Sequence, residues 1–246
     1  MTVTPELLVA APVIVVTAFV IFGVTGFGST IIAVPLLAHL LPIRFVIPMF
    51  VLLDFAAALR TGLKFREAIA RRELAWLLPF MLAGIVVGVF LLVRLPGEVI
   101  LGALGVFVLG YGLYLASGRE PKLRLGRAWA VPIGLVGGVI SAIFGAAGPM
   151  YVVYLTARGL TPGEIRSTMS VIFMITTGSR IVLFAVSGLF AQEGLLATSA
   201  VLAVPMLAGL WIGHRLHVSL PREKLLRVMG ALLIVSGGSL AVRALT

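Results

Sequence analysis

Two short glycine-rich runs hold the chemistry that this chain has to offer. Gly26-Phe27-Gly28-Ser29-Thr30 and Gly145-Ala146-Ala147-Gly148-Pro149 each interrupt a hydrophobic stretch, and a helical pattern restarts after each. Ser29 or Thr30 suits an N-cap, and Pro149 suits a first helical position, where no amide hydrogen is needed. A helix start exposes unpaired N–H groups at the positive end of the helix dipole. Two such starts meeting from opposite sides would form an anion site without formal charge. Glycine lets a ligand approach the backbone closely. The expected contacts are Gly26, Phe27, Gly28, Ser29 and Thr30 from the first run and Gly145, Ala146, Ala147 and Gly148 from the second. Tyr151, Thr177 and Arg180 join them from the segments that follow. The competing reading gives these glycines a role in helix packing alone.

Charges inside apolar stretches are the next candidates, because each is expensive in lipid and marks function by default. Asp54 is the carboxylate so placed and Arg180 the base. Asp54 is a candidate to carry a coupling proton; the alternative is a structural pairing with Arg60 or another base. Arg180 either contacts the anion or snorkels to the outer end of its helix. Ser167, Ser170, Thr177 and Arg180 share a stripe at three- and seven-residue spacings, which favours a polar face over snorkelling. Tyr151 and Tyr154 sit just after the second break, placed to close over a ligand or to pack. His39, His214 and His217 lack metal-site spacing and read as loop residues, so no metal site is expected. No P-loop, HExxH motif or nucleophile elbow occurs, so neither an enzyme nor an ATP-driven pump is expected, and no cofactor is implied.

The elements that must position these residues are membrane helices. The chain has 246 residues, 61% hydrophobic and 11% charged, against ~45–50% apolar and ~25% charged in soluble domains. Mean hydropathy is +1.18. About eight hydrophobic segments can be cut, leaving little for a soluble domain. With no cysteine, disulfides and thiol chemistry are excluded. The net charge of +10 fits cytoplasmic loops under the positive-inside rule and requires no nucleic acid. The chain opens without the basic start of a secretory signal, so the first segment is read as retained.

The chain repeats itself. At an offset of 125, Gly84 meets Gly209, Gly88 meets Gly213, Leu95-Pro96 meets Leu220-Pro221 and Gly112 meets Gly237; the two glycine-rich runs match at an offset of 119. Residues 1–116 form a first repeat, 117–127 a cytoplasmic linker and 128–246 a second repeat, together one membrane domain. Glu6 to Leu41 would run ~54 Å as a single helix against a hydrocarbon core of ~30 Å, so it must break. If both broken segments return as hairpins, the 18 bases other than Arg180 divide into 15 on one side and only Arg44, Arg94 and Arg243 on the other. If every segment crosses, the bias vanishes. The positive-inside rule selects hairpins. A hairpin plus three spans per half is an odd number of crossings, so the repeats are inverted and both termini are expected outside the cytoplasm. The expected fold is an all-α polytopic membrane protein of two inverted repeats, each a broken-helix hairpin plus three transmembrane helices.

The sequences GFGSTIIAVPLL from Gly26 and FGAAGPMYVVYL from Phe144, followed in each half by small-residue helices and a late Leu-Pro, resemble the sulfite exporter TauE/SafE family over nearly the whole chain. That resemblance implies a small multi-pass permease of sulfite, sulfonates or related sulfur anions, often moving them outward. It places the family's two motifs on Gly26 to Thr30 and Gly145 to Pro149. Inverted repeats with interrupted helices point independently to a secondary transporter with its site at the repeat interface. The expected function is therefore export of a small oxyanion, sulfite or an organosulfonate, through the cell's inner or plasma membrane. The partners are the anion, the bilayer and a coupling proton, and oligomeric state is not legible. Two alternatives stand beside it: a divalent metal permease and a non-transporting membrane scaffold subunit.

Overall fold

A computed structural model describes residues 5–25, 28–62, 69–117, 124–216, 230–231 and 233–240. The hydrophobic runs are α-helical, and no strand occurs among the described residues. In chain order they are α1 (Pro5–Thr25), α2 (Ser29–Leu37), α3 (Ile43–Gly62), α4 (Arg71–Arg94), α5 (Gly97–Ala116), α6 (Ala130–Phe144), α7 (Gly148–Ala157), α8 (Pro162–Val186) and α9 (Leu195–Leu216). A 3-10 turn, Arg127–Trp129, leads into α6. A last helical stretch, α10, covers 233–240. Among the described residues, α4, α5, α6 with its leading turn, α8 and α9 are long and apolar enough to cross a membrane. The chain is an all-α polytopic membrane protein.

The broken segments behave as hairpin arms. With 9 residues in α2 and 10 in α7, these helices reach only ~13–15 Å at ~1.5 Å per residue, half of a ~30 Å core. In the second hairpin both ends are tied together. Leu125 N–H donates to the Ala157 carbonyl at 3.3 Å, and Arg158 Nη1 donates to the Leu125 carbonyl at 2.8 Å. A segment crossing the bilayer would part these residues by its full thickness.

The chain forms two compact units: Met1–Leu53 with Leu95–Glu120 and Ala191–Thr246, and Asp54–Arg94 with Pro121–Phe190. Each unit draws on both halves of the sequence. In the first unit α1 packs on α9, where a Cβ on Gly23 would lie 2.9 Å from the Cα of Gly213. In the second unit α4 packs on α6, where a Cβ on Gly88 would lie 2.6 Å from the Ala142 Cβ and one on Gly134 would lie 2.8 Å from the Phe80 Cβ. Without a hydrophobic drive between helices in lipid, such close backbone approach is what holds them. Gly209 faces Val16 and Gly213 faces Val20, while Gly84 faces Leu135 and Gly88 faces Val139. Contacts advance together along both helices, so both pairs are parallel.

The seam thus follows the sequence repeat and crosses it: the fourth helix of each half packs on the first hairpin arm of the other. Helix starts keep the same spacing. Ser29 and Gly148 open α2 and α7, Ile43 and Pro162 open α3 and α8, and both pairs are 119 residues apart. In the first unit α2 and the first half of α3 are buried almost all round, with Phe19 stacked on Phe50 at 6.2 Å. In the same unit α5 and α10 meet through Gly112 and Gly237.

Candidate functional site

Both helix restarts occur where the sequence puts them, with different backbone chemistry. In the first unit Gly26 and Phe27 lie outside the described residues. Gly28 is the N-cap of α2 at φ 98°, ψ 0°, a left-handed conformation that suits glycine and strains other residues. Ser29 and Thr30 are therefore the first helical residues, both buried, and neither is the N-cap expected of them. The left-handed turn at Gly28 has already set the helix start, and no side chain caps it.

In the second unit Gly145 closes α6 at φ 66°, donating its N–H to the Ser141 carbonyl at 2.9 Å. Ala146 and Ala147 are buried, and Ala147 is the right-handed N-cap of α7 at φ −78°. Gly148 begins the helix with Pro149 in its first turn, as its missing N–H favours. Again no side chain caps the start. The N-caps Gly28 and Ala147 are 119 residues apart, the repeat offset.

Among the described residues, the buried charges belong to the second unit. Arg180, on α8, is 2% exposed, so it does not snorkel. Its guanidinium lies over the Phe184 ring, 5.6 Å from the centroid, and the fully buried Asp54 acts on it electrostatically. Asp54 is buried in the same unit as Arg180, while Arg60 is exposed. Nε and Nη2 of Arg180 are buried with no hydrogen-bond partner. Thr177 is buried one turn before it, as is Ser167 further along the stripe, whereas Ser170 is half-buried and donates to the Arg166 carbonyl at 3.1 Å. Tyr151, on α7, is also buried. Its hydroxyl has no partner and sits where a Cβ on Gly137 would lie 2.9 Å away.

Tyr154 has another role. Its hydroxyl donates to Glu73 Oε2 at 3.0 Å. Arg127 Nε donates to Oε1 at 3.1 Å, and Arg158 donates through Nε to Oε2 and through Nη2 to Oε1, both at 3.2 Å. Those bonds hold the Arg158 guanidinium above its ordinary range. Glu73, in the first turn of α4, is buried. Sequence reading passes it over as the edge of a basic loop. The available signal was the four-residue spacing of Tyr154 and Arg158, which puts two donors on one face of α7.

His39 bonds through Nδ1 to the Pro35 carbonyl and through Nε2 to Ser239 Oγ, each at 2.9 Å. His214 bonds to the Leu210 carbonyl at 3.1 Å, and His217 lies outside the described residues. Among the described residues no three His, Asp or Glu side chains gather as a metal site would require.

A membrane-embedded pair of interrupted helices with buried unpaired donors suits solute passage. The family model described as Sulfite exporter TauE/SafE matches residues 10–240. The chain belongs to the sulfite exporter TauE/SafE family. Its relatives in that family include the "Probable inner membrane transporter protein TsaS" of Comamonas testosteroni, 29% identical over 195 residues that cover 78% of this chain and 81% of the relative. The "Probable sulfite/organosulfonate exporter TauE" of Cupriavidus necator is 28% identical over 233 residues, covering 91% and 89%. No solved structure matches the chain. Family membership makes it a membrane transport protein of this kind.

Proposed function

We propose that the chain is a secondary transporter that exports a small sulfur oxyanion, sulfite or an organosulfonate, across the inner membrane. Arg180 carries this reading. Its guanidinium is nearly fully buried, yet Nε and Nη2 meet no acceptor. Leaving a buried donor unsatisfied costs ~1–3 kcal/mol, more for a charged one, so an acceptor that arrives and departs is a natural complement. Nε and Nη2 share one edge of the guanidinium, and two parallel N–H groups match two oxygens of one oxyanion.

In the second unit the helix start at Gly145 to Gly148 supplies further donors by dipole and backbone, with Tyr151 and Thr177 completing the set; the start at Ser29 and Thr30 is its repeat-related counterpart in the first unit. Asp54 supplies the coupling. Arg180 and Asp54 together are neutral, so a bound monoanion leaves the buried site at −1 unless Asp54 takes a proton; anion and proton then move together. The exporter named in Cupriavidus necator supports outward direction.

The test is thermal stabilisation of the purified protein by sulfite, sulfonates or sulfate set against divalent metals, followed by flux in proteoliposomes. Stabilisation by sulfite or sulfonates with outward flux is expected. A response to metals alone would overturn the anion reading in favour of a metal permease, and no response to any solute would overturn it in favour of a scaffold.

A further inference from the structure

The Glu73 cluster does more than fix a helix end. Its four donated bonds come from three places: Arg127 just before α6, Tyr154 inside α7 and Arg158 just after α7. The hairpin's two ends are also tied to each other through Leu125, Ala157 and Arg158. The segment leading into α4 is held to α8, where Ala70 N–H donates to Thr168 Oγ1 at 3.0 Å. So one buried carboxylate closes the basic end of the second unit, joining α4 to both arms of its hairpin.

We propose that Glu73 is the inner gate residue of the transport cycle: release of its clasp on Arg127, Tyr154 and Arg158 swings the α7 arm and opens the second unit to the cytoplasm. Three features favour a latch over a static brace. First, Arg127 and Arg158 keep 33% and 21% of their side chains exposed, so both can exchange Glu73 for water on release, while Glu73 and Tyr154 are shut away. Second, α7 is only 10 residues long; at ~1.5 Å per residue its start lies ~13 Å from Ala157. A shift of the helix start at Gly148 therefore arrives at Tyr154 and Arg158 undiminished, because a short helix moves as a body. Third, a carboxylate whose donors sit on separate elements has a bound and a released arrangement, the discrete alternatives a gate needs. The inference rests on the transport reading for what passes through, on the expected cytoplasmic side of the basic end for its direction, and on the second unit's geometry for the latch.

The natural absence of cysteine makes accessibility a direct readout. Ser167→Cys places a thiol at a buried position of α8, five residues after its start, and Ser199→Cys places one at a buried position near the start of α9. A membrane-impermeant maleimide is applied from the cytoplasmic face of inside-out vesicles for the first and from the opposite face for the second. Glu73→Gln should raise the labelling rate at Ser167→Cys tenfold or more and leave Ser199→Cys within twofold. Arg158→Gln, which spares the bonds from Arg127 and Tyr154, should give a three- to fivefold rise and serves if Glu73→Gln does not fold. Glu73→Asp should restore most of the slow rate. An unchanged rate at Ser167→Cys in folded variants, or an equal rise at both positions, would overturn the latch, the latter because general loosening is what a brace would give. The labelling needs no solute, so it judges the latch even if sulfite is not the cargo.

Discussion

The two units are built alike and furnished differently. Each pairs an interrupted hairpin with a fourth helix from the other half of the sequence, through glycines at equivalent positions. Among the described residues, the buried polar ones of the first unit are Ser29, Thr30, Ser199 and Ser236, all neutral. The second unit buries Asp54, Glu73 and Arg180. At the offset of 119, Asp54 corresponds to Phe173 and Arg180 to Thr61. Repetition accounts for the scaffold, because helix seams and breaks must match for two halves to interlock. Asp54 and Arg180 have no ionisable counterpart under the repeat. Under the proposed transport reading, a symmetric frame alternates between two faces while an asymmetric site within it supplies affinity and coupling.

The largest effect expected is all-or-none and tests the inversion behind the comparison. Thr156 is exposed at the end of α7, and Leu40 is exposed after α2. Thr156→Cys should label with an impermeant maleimide only from the cytoplasm, and Leu40→Cys only from outside. Labelling of both from one face would end the inverted arrangement and the expected outside location of the termini.

Next comes the asymmetric charge. Arg180→Gln removes two hydrogen bonds from a charged donor, each worth ~1.5–3 kcal/mol, so sulfite affinity measured by calorimetry should fall at least ~100-fold at ~1.4 kcal/mol per decade. Arg180→Lys keeps the charge without the planar fork and should lose about tenfold. Asp54→Asn should change affinity about threefold at most while abolishing the response of flux to a pH gradient, since an amide carries no proton. Wild-type affinity in both Arg180 variants would leave the helix starts to hold the anion unaided and would erase the functional difference between the units.

What the sequence could tell depended on how local the physics was. The hairpins were legible because Glu6 to Leu41 exceeds any membrane thickness and because one side would otherwise have to share its arginines evenly; the approach of Arg127 and Arg158 to one carboxylate agrees with that argument. Glycines matching at 125 residues announced a seam but not its partner, since α4 packs on α6, which lies beyond α5 in the chain. Glu73 was invisible for the same reason: its donors lie 54 to 85 residues away. Snorkelling of Arg180 was a fair inference from its distance to the helix end, but burial against other helices overrode it. Ser29 was the better N-cap by propensity, and a left-handed Gly28 took the position instead.

That last difference yields a backbone test. Alanine at Gly28 must adopt a left-handed conformation that costs ~1–2 kcal/mol, whereas Ala147→Gly removes a side chain from a right-handed N-cap, a position that accepts glycine at least as well as alanine. Gly28→Ala should therefore lower the melting temperature by several degrees and Ala147→Gly by one or two at most. Gly28→Leu and Gly148→Leu should each abolish transport with folded protein remaining, the former with the larger loss of stability. Equal stability of Gly28→Ala and Ala147→Gly would mean that the first break relaxes into the geometry of the second.

The smallest effect separates stability from the site within a single helix. Thr161 caps α8, accepting the Glu164 N–H at 3.4 Å while its own N–H donates to Glu164 Oε2 at 2.8 Å. The equivalent position before α3 is Pro42, which has no side-chain acceptor, so the box is not repeated there. Thr161→Ala should cost ~1 kcal/mol, about 2–4 °C in melting temperature for a chain of this size. Arg180 lies 19 residues further along α8, ~28 Å at ~1.5 Å per residue, and the cap is exposed at the opposite end. Sulfite affinity should therefore stay within twofold of wild type. A parallel loss of affinity would mean that the start of α8 helps to set Arg180, and that the second unit answers as one body to changes at either end.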